Sequence, residues 1–232
     1  MSTERETKRR ALLDEARSWD SIEISTDETG VTIHHSVLGL SYQHSLITGP
    51  LAHRATQSRQ AILKACNNKT RNIQAVLDLT AGWGGDGLAL AYHGQTVTWL
   101  EHHPLIHAVL DYSLLLLRSD INATNIAKQL HLESSHALDF LESLPESHGF
   151  DCIYLDPMFP AHKSGAKPGK DLQILQHLTE NRGIDDCFHL ALQKAHRRVV
   201  VKRPLKSASL SHASPDFSCR EKTIRFDVYL TN

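Results

Sequence analysis

The chain has 232 residues, 41% of them apolar and 22% charged, with a formal net charge of -1 and a pI of about 7.0. That is enough for one domain of ordinary size with a packed core and a small appendage, and it excludes wholesale disorder. The neutral balance also excludes a protein that coats nucleic acid through bulk positive charge, while leaving room for a local basic patch.

Met1–Arg17 is charged and has no apolar leader segment, and no run of about 18 apolar residues occurs, so a cytoplasmic protein with no membrane partner is expected. The four cysteines, Cys66, Cys152, Cys187 and Cys219, form no C-x-x-C pair and read as reduced thiols. Sixteen histidines invite a metal site. However, His34-His35 and His102-His103 are adjacent pairs whose side chains diverge, and no H-E-x-x-H or Cys/His cluster is present, so no metal is expected.

Residues 1–49 read as a small β-containing module with a helical lead-in. Ile22 and Ile24 alternate with polar residues, Asp27-Glu28-Thr29-Gly30 is a turn, and Val31 and Ile33 alternate again, which is a hairpin pattern. Val37–Tyr42 predicts a further strand, and Gly49-Pro50 a chain break. From residue 50 to 232 helices and strands alternate. A helix over His53–Cys66 precedes the strand Ala75–Leu79, a glycine-rich turn, and a short helix ending at Gly94. The strand Thr96–Leu100 leads to a helix from Pro104 through Leu117, in which Leu105, Ala108, Val109, Tyr112 and Leu116 fall at core-facing spacing. A strand at Leu130–Leu132, a helix at His136–Leu144, the strand Phe150–Leu155, a helical stretch to Ala195, the strand Val199–Val201 and a last strand Thr223–Leu230 complete the chain. Strands separated by helices predict an α/β fold with a doubly wound, mostly parallel sheet.

Two stretches carry chemistry. In Asp78–Gly87, DLTAGWGGDG, the residues Gly82, Gly84 and Gly87 satisfy G-x-G-x-x-G between a strand and a helix. Glu101 ends the next strand roughly 20 residues on, where an acid can hold both ribose hydroxyls of an adenosine-type cofactor. Asp86 beside the helix start would repel a diphosphate, whereas a cationic sulfonium with an amino-acid tail suits Asp78 and Asp86. The second stretch, Tyr154–Pro160, reads YLDPMFP. It runs a strand into two prolines and leaves Asp156 and Phe159 at the carboxyl edge of the sheet, beside its switch point. There the Asp156 carboxylate and the Pro157 carbonyl can accept both N–H groups of a base's exocyclic amine, and Phe159 can stack on a base withdrawn from its helix. These three are the candidate catalytic residues.

Asp-Pro-x-Phe resembles the (Asp/Asn)-Pro-Pro-(Tyr/Phe) motif of amino-group methyltransferases. With Ala52–Arg54 (AHR), Asp78–Asp86, Leu100–Pro104, Ser134-Ser135, Arg198–Pro204 (RVVVKRP) and Arg225–Tyr229, the chain is similar to the family of small-subunit ribosomal RNA methyltransferase J, over most of its length from Gly49. The resemblance implies a Rossmann-like class I methyltransferase. It would use S-adenosylmethionine to methylate N2 of a specific guanosine in 16S rRNA, as naked RNA or in the small subunit. It further implies cofactor contacts at Gly85, Asp86, Glu101, His102, Ser134, Ser135 and Asp156. Gly85 and His102 stand where the family usually carries arginine. Arg54, Lys163, Lys167, Lys170, Lys202 and Arg203 are the candidate RNA contacts, with Lys206 nearby. Two other readings use the same residues: an NAD(P)-dependent oxidoreductase built on the glycine fingerprint, and a non-catalytic RNA-binding or assembly factor.

Overall fold

The computed structural model describes residues 2–67, 73–146, 148–158, 168–179 and 183–231. It opens with α1 (Ser2–Ala16), followed by β1 (Ile22–Thr26), β2 (Val31–His35) and β3 (Leu40–His44). The three strands form an antiparallel sheet in the order β1-β2-β3, with Ile24 opposite Ile33 and Ile33 opposite Tyr42. Asp27 shapes the first hairpin: its Oδ1 accepts from the amides of Thr29 and Gly30 at 2.7 and 2.9 Å.

The remaining elements are α2 (Gly49–Ala55), α3 (Ala61–Cys66), β4 (Ala75–Asp78), α4 (Gly85–Tyr92), β5 (Thr96–Leu100), α5 (Pro104–Ser119), α6 (Thr124–Ala127), β6 (Leu130–Glu133), α7 (Ala137–Ser143), β7 (Cys152–Leu155), α8 (Lys170–Leu178), α9 (Ile184–Lys194), β8 (Arg198–Pro204), β9 (Phe217–Arg220) and β10 (Ile224–Leu230). Seven strands make one sheet in the order β6-β5-β4-β7-β8-β10-β9. The first five are parallel, and β10 runs antiparallel between β8 and β9. The order reverses between β4 and β7, so the carboxyl ends of those two strands flank the crevice where such sheets bind ligands.

Period-two alternation splits the core. Val76, Tyr154 and Val200 face one layer with Trp99, Leu105 and Val109. Leu77, Ile153, Leu155, Val199 and Val201 face the other with Leu141, Phe188 and Ala191. The central strands are apolar on both faces, as a parallel sheet covered on both sides requires. Helix α5 is buried nearly all round, since α1 lies across its outer face with Leu12 fully buried and Lys8 Nζ 2.5 Å from Asp111 Oδ1.

Several expectations need correction. The helix expected over His53–Cys66 is two short helices, α2 and α3. Gly49-Pro50 starts α2, with Pro50 in the first turn, where a missing amide costs no hydrogen bond. The strand expected at Val37–Tyr42 begins at Leu40, because residues 36–39 form the hairpin turn with Gly39 at φ 61°. The helical stretch before Ala195 resolves into α8 and α9, and β9 was not expected. Among the described residues no helix is long and apolar enough to cross a membrane, and no group of three or more His, Cys, Asp or Glu is placed to hold a metal.

Candidate active site

The loop from Asp78 to Gly85 turns the chain from β4 into α4. Gly82 and Gly84 sit at φ 52° and 74°, a region that glycine adopts at little steric cost. Gly87 is required for a different reason: a Cβ there would sit 1.9 Å from Trp99 Nε1, so helix and strand can approach this closely only without a side chain. The Gly82 amide donates to Glu101 Oε2 at 3.0 Å, and the His103 amide donates to Oε1 at 2.8 Å. Glu101 is therefore fixed at the end of β5 with its carboxylate oriented by backbone on two sides.

The YLDPMFP loop is tied to the glycine loop. The Asp156 amide donates to Thr80 Oγ1 at 2.6 Å, and the Thr80 amide donates to Asp78 Oδ1 at 3.1 Å. Alternation along β7 puts Tyr154 on the same side as Asp156, and its hydroxyl donates to Asp86 Oδ2 at 2.7 Å. Lys202, from β8, donates to Asp86 Oδ2 and to Asp156 Oδ2, both at 2.8 Å. Arg54 Nη2 closes the web on Asp86 Oδ1 at 3.1 Å. A Cβ at Gly85 would lie 2.9 Å from that same guanidinium nitrogen, so glycine at this position leaves the space Arg54 uses.

Electrostatics separates these acids. Burial pushes the Asp78 carboxyl up to about 8, against the opposing pull of the Thr80 amide. Burial likewise raises Glu101 to about 7, despite the amides of His103, Gly82 and His102. Asp86 is also desolvated, but Lys202 and Arg54 outweigh that and hold it at about 2. Asp156 is raised: burial leads, Lys202 opposes it, and the neighbouring Asp86 charge adds to it. Lys202 is itself raised, because Asp156 and Asp86 overcome its desolvation. Two cations and two carboxylates thus neutralise one another inside the web. Asp78 and Glu101 are left beside the glycine loop with no cation of their own at hydrogen-bonding distance among the described residues.

Asp78 to Gly82, Gly85, Asp86, Glu101, Tyr154, Asp156, Arg54 and Lys202 line one cleft of ≈1500 Å³, which also takes in His102, His136, Trp83, Met158 and Lys170. Gly84, expected at the cofactor, and Pro157 do not line it. His102 and His136 pack with ring centroids 4.5 Å apart and planes tilted by 31°. The structure thus brings together Asp78, Gly82, Gly85, Asp86, Glu101, His102, Asp156, Arg54, Lys170 and Lys202. Ser134 and Ser135 lie in the turn after β6 and do not line the cleft, where His136 to Asp139 do; Ser135 Oγ donates to the His136 carbonyl at 3.2 Å. Arg203 points into the loop beyond β8, its guanidinium donating to the Ala208 carbonyl. Lys202 faces inward to two carboxylates, which removes it from the outward basic surface expected of an RNA contact. Phe159, Lys163 and Lys167 lie outside the described residues. Sequence reasoning passed over Thr80, Tyr154 and Trp83. The signal for Tyr154 was the strand period counted back two residues from Asp156, whereas Thr80 and Trp83 become visible only once the two loops meet.

A family model described as "Putative SAM-dependent methyltransferase", SAM being S-adenosylmethionine, matches residues 25–231. A Legionella pneumophila protein named ribosomal RNA small subunit methyltransferase J is 40% identical over 180 residues, 76% of this chain and 70% of that one. A Nitrosococcus oceani protein of the same name is 34% identical over 204 residues, covering 86% of this chain and 80% of its own. The crystal structure of a SAM-dependent methyltransferase from Neisseria gonorrhoeae superposes with a TM-score of 0.71 at 25% identity, over 95% of this chain and 91% of that one. The nicotinamide and non-catalytic readings therefore fall away, and the chain belongs to a family of SAM-dependent methyltransferases that includes the proteins named ribosomal RNA small subunit methyltransferase J.

Proposed function

We propose that the protein methylates the exocyclic N2 of a guanosine in small-subunit ribosomal RNA. The observation that carries this reading is Asp156, followed by the buried Pro157, at the carboxyl end of β7, with its carboxylate in the same cleft as Glu101 and the glycine loop. S-adenosylmethionine supplies the electrophilic methyl group on a sulfonium centre. The donor set suits it: Glu101 is oriented to accept from two adjacent hydroxyls, and the buried Asp78 carboxylate gains a counter-charge from a cationic ligand.

The chain's own residues orient the nucleophile. A guanine amine is a poor nucleophile because its lone pair is delocalised into the ring. Acceptance of its two N–H groups by Asp156 Oδ and the Pro157 carbonyl pyramidalises the nitrogen and turns its lone pair toward the methyl group. Lys202 keeps the Asp156 carboxylate placed and favours its ionised, accepting form. By its place in the motif, Phe159 stacks on the withdrawn base. Lys170, exposed at the cleft, offers positive charge to the flanking phosphates.

The test is transfer of labelled methyl groups from S-adenosylmethionine to small ribosomal subunits, naked ribosomal RNA, DNA and bulk protein, with the labelled nucleoside identified by mass spectrometry. N2-methylguanosine in small-subunit RNA alone is the expected product. Label in DNA or protein, or on another base atom, contradicts the reading.

A further inference from the structure

At ≈1500 Å³ the cleft is larger than the roughly 300–1,000 Å³ that usually accommodates one small ligand, so it has room for a cofactor and a second planar group. Its cofactor end is at Gly82 and Glu101. Part of its wall comes from outside the seven-stranded sheet: Tyr42 is contributed by β3, the edge strand of the N-terminal sheet, and Leu172 and Leu175 by α8.

Tyr42 is half-buried and packs on Trp83, ring centroids 5.4 Å apart at 47°. Trp83 itself is buried and held at both ends. Its Nε1 donates to the Asp171 carbonyl at 3.0 Å, and its own carbonyl lies 3.0 Å from Nε2 of the buried His44. The Tyr42 ring is thus supported on one side by a fixed indole and open to the cleft on the other. It lies within electrostatic reach of Arg54, the residue that binds Asp86 in the web around Asp156. Burial keeps its hydroxyl protonated, so the ring presents a neutral face.

We propose that Tyr42 is a binding residue for the target nucleobase, with the base withdrawn from the RNA stacking on its ring while Asp156 and Pro157 hold the amine. This rests on the rRNA reading given under Proposed function and adds that the N-terminal sheet forms part of the substrate site. A rigid aromatic platform suits an unstacked base because it costs little conformational entropy and tolerates any in-plane orientation that Asp156 selects.

Tyr42→Phe and Tyr42→Leu test it, assayed with small ribosomal subunits and labelled S-adenosylmethionine, alongside cofactor affinity by calorimetry and the melting temperature. The Phe variant is expected to keep wild-type kcat/KM for RNA within about threefold. The Leu variant should lose roughly ten- to a hundredfold, the scale of one lost base–aromatic stack, at unchanged cofactor affinity. Wild-type kcat/KM in the Leu variant overturns the proposal. A matching loss of cofactor affinity also overturns it, since Tyr42 would then belong to the cofactor wall. Ultraviolet cross-linking of the wild-type protein to small-subunit RNA asks the same question without depending on how a variant folds. A nucleotide adduct on Tyr42 is expected, and adducts confined to other residues contradict the assignment. A wild-type protein that leaves RNA unlabelled overturns the rRNA reading first and Tyr42 with it. That failure is distinct, because it appears before any variant is made.

Discussion

The Lys202 ammonium stands 2.8 Å from Asp156 and 2.8 Å from Asp86, so one cation from β8 bridges the loop after β7 to the first turn of α4. Titratable and charged groups approach this point from every neighbouring element: Asp78 on β4, Asp86 on α4, Arg54 on α2 and Tyr154 on β7. Removing the cation leaves two partly buried carboxylates facing each other, an arrangement that raises the proton affinity of at least one. Lys202→Met should lower kcat by roughly ten- to a hundredfold, the scale of one lost charge-assisted hydrogen bond. It should also move the acid limb of the pH–rate profile to higher pH, because Asp156 must be ionised to accept the amine. An unchanged limb position, read from turnover across pH 5 to 9, would falsify this role.

Glu101→Gln tests the cofactor end. Glutamine keeps one oxygen acceptor but loses the charge and places an NH₂ against either the Gly82 or the His103 amide. A charged hydrogen bond contributes about 1.5–3 kcal/mol, so cofactor affinity by calorimetry should fall roughly ten- to a hundredfold. The maximal rate at saturating cofactor should change far less.

Asp78 sets a trade between stability and binding. Its folded value of about 8 lies well above the ordinary carboxylate range. The unfolded chain therefore releases this proton at lower pH than the folded one, and stability is lost as pH rises from the unfolded value toward 8. Asp78→Asn should raise the melting temperature of the cofactor-free protein above pH 8, by roughly 2–4 °C for each kcal/mol of relief, and have little effect near pH 4. The same variant should bind cofactor more weakly. In the wild type, cofactor affinity should increase from pH 6 to 9, because a cationic ligand favours the ionised carboxylate.

Gly87 and Gly84 should respond differently to alanine. At 87 the added carbon meets the Trp99 ring at 1.9 Å, and neither helix nor strand can yield without disturbing the core. Gly87→Ala should cost at least the 1–3 kcal/mol typical of overpacking, measured by denaturant unfolding. Gly84→Ala is strained both by its φ of 74° and by a tight but softer contact, 3.0 Å to Leu110 Cδ2. It should cost about 1–2 kcal/mol.

Much of this architecture was legible in the sequence, for identifiable reasons. The parallel core strands are uninterrupted apolar runs bounded by glycine, proline and acids, so β4, β5 and β7 were found close to their observed limits, β8 only as its apolar centre Val199–Val201, and the two motifs fixed the switch point. What escaped depends on contacts distant in sequence. Nothing local in α1 says that it covers α5, or that Lys8 will meet Asp111 across 103 positions. Lys202 read as one of several basic residues near a loop. Only the parallel pairing of β7 with β8, which sets Leu155 beside Val201, brings it against Asp156. His53–Cys66 was expected as one helix because Gln57–Gln60, where the chain in fact turns, holds no glycine or proline to mark the break.

The most direct test is the nucleoside content of small-subunit ribosomal RNA in cells lacking this protein, complemented with either the wild-type chain or Asp156→Ala. One N2-methylguanosine should disappear on deletion, return with the wild type and stay absent with Asp156→Ala, although that variant still folds and binds S-adenosylmethionine. Unchanged N2-methylguanosine on deletion, or full restoration by Asp156→Ala, would contradict the assignment of this site to guanine-N2 methylation.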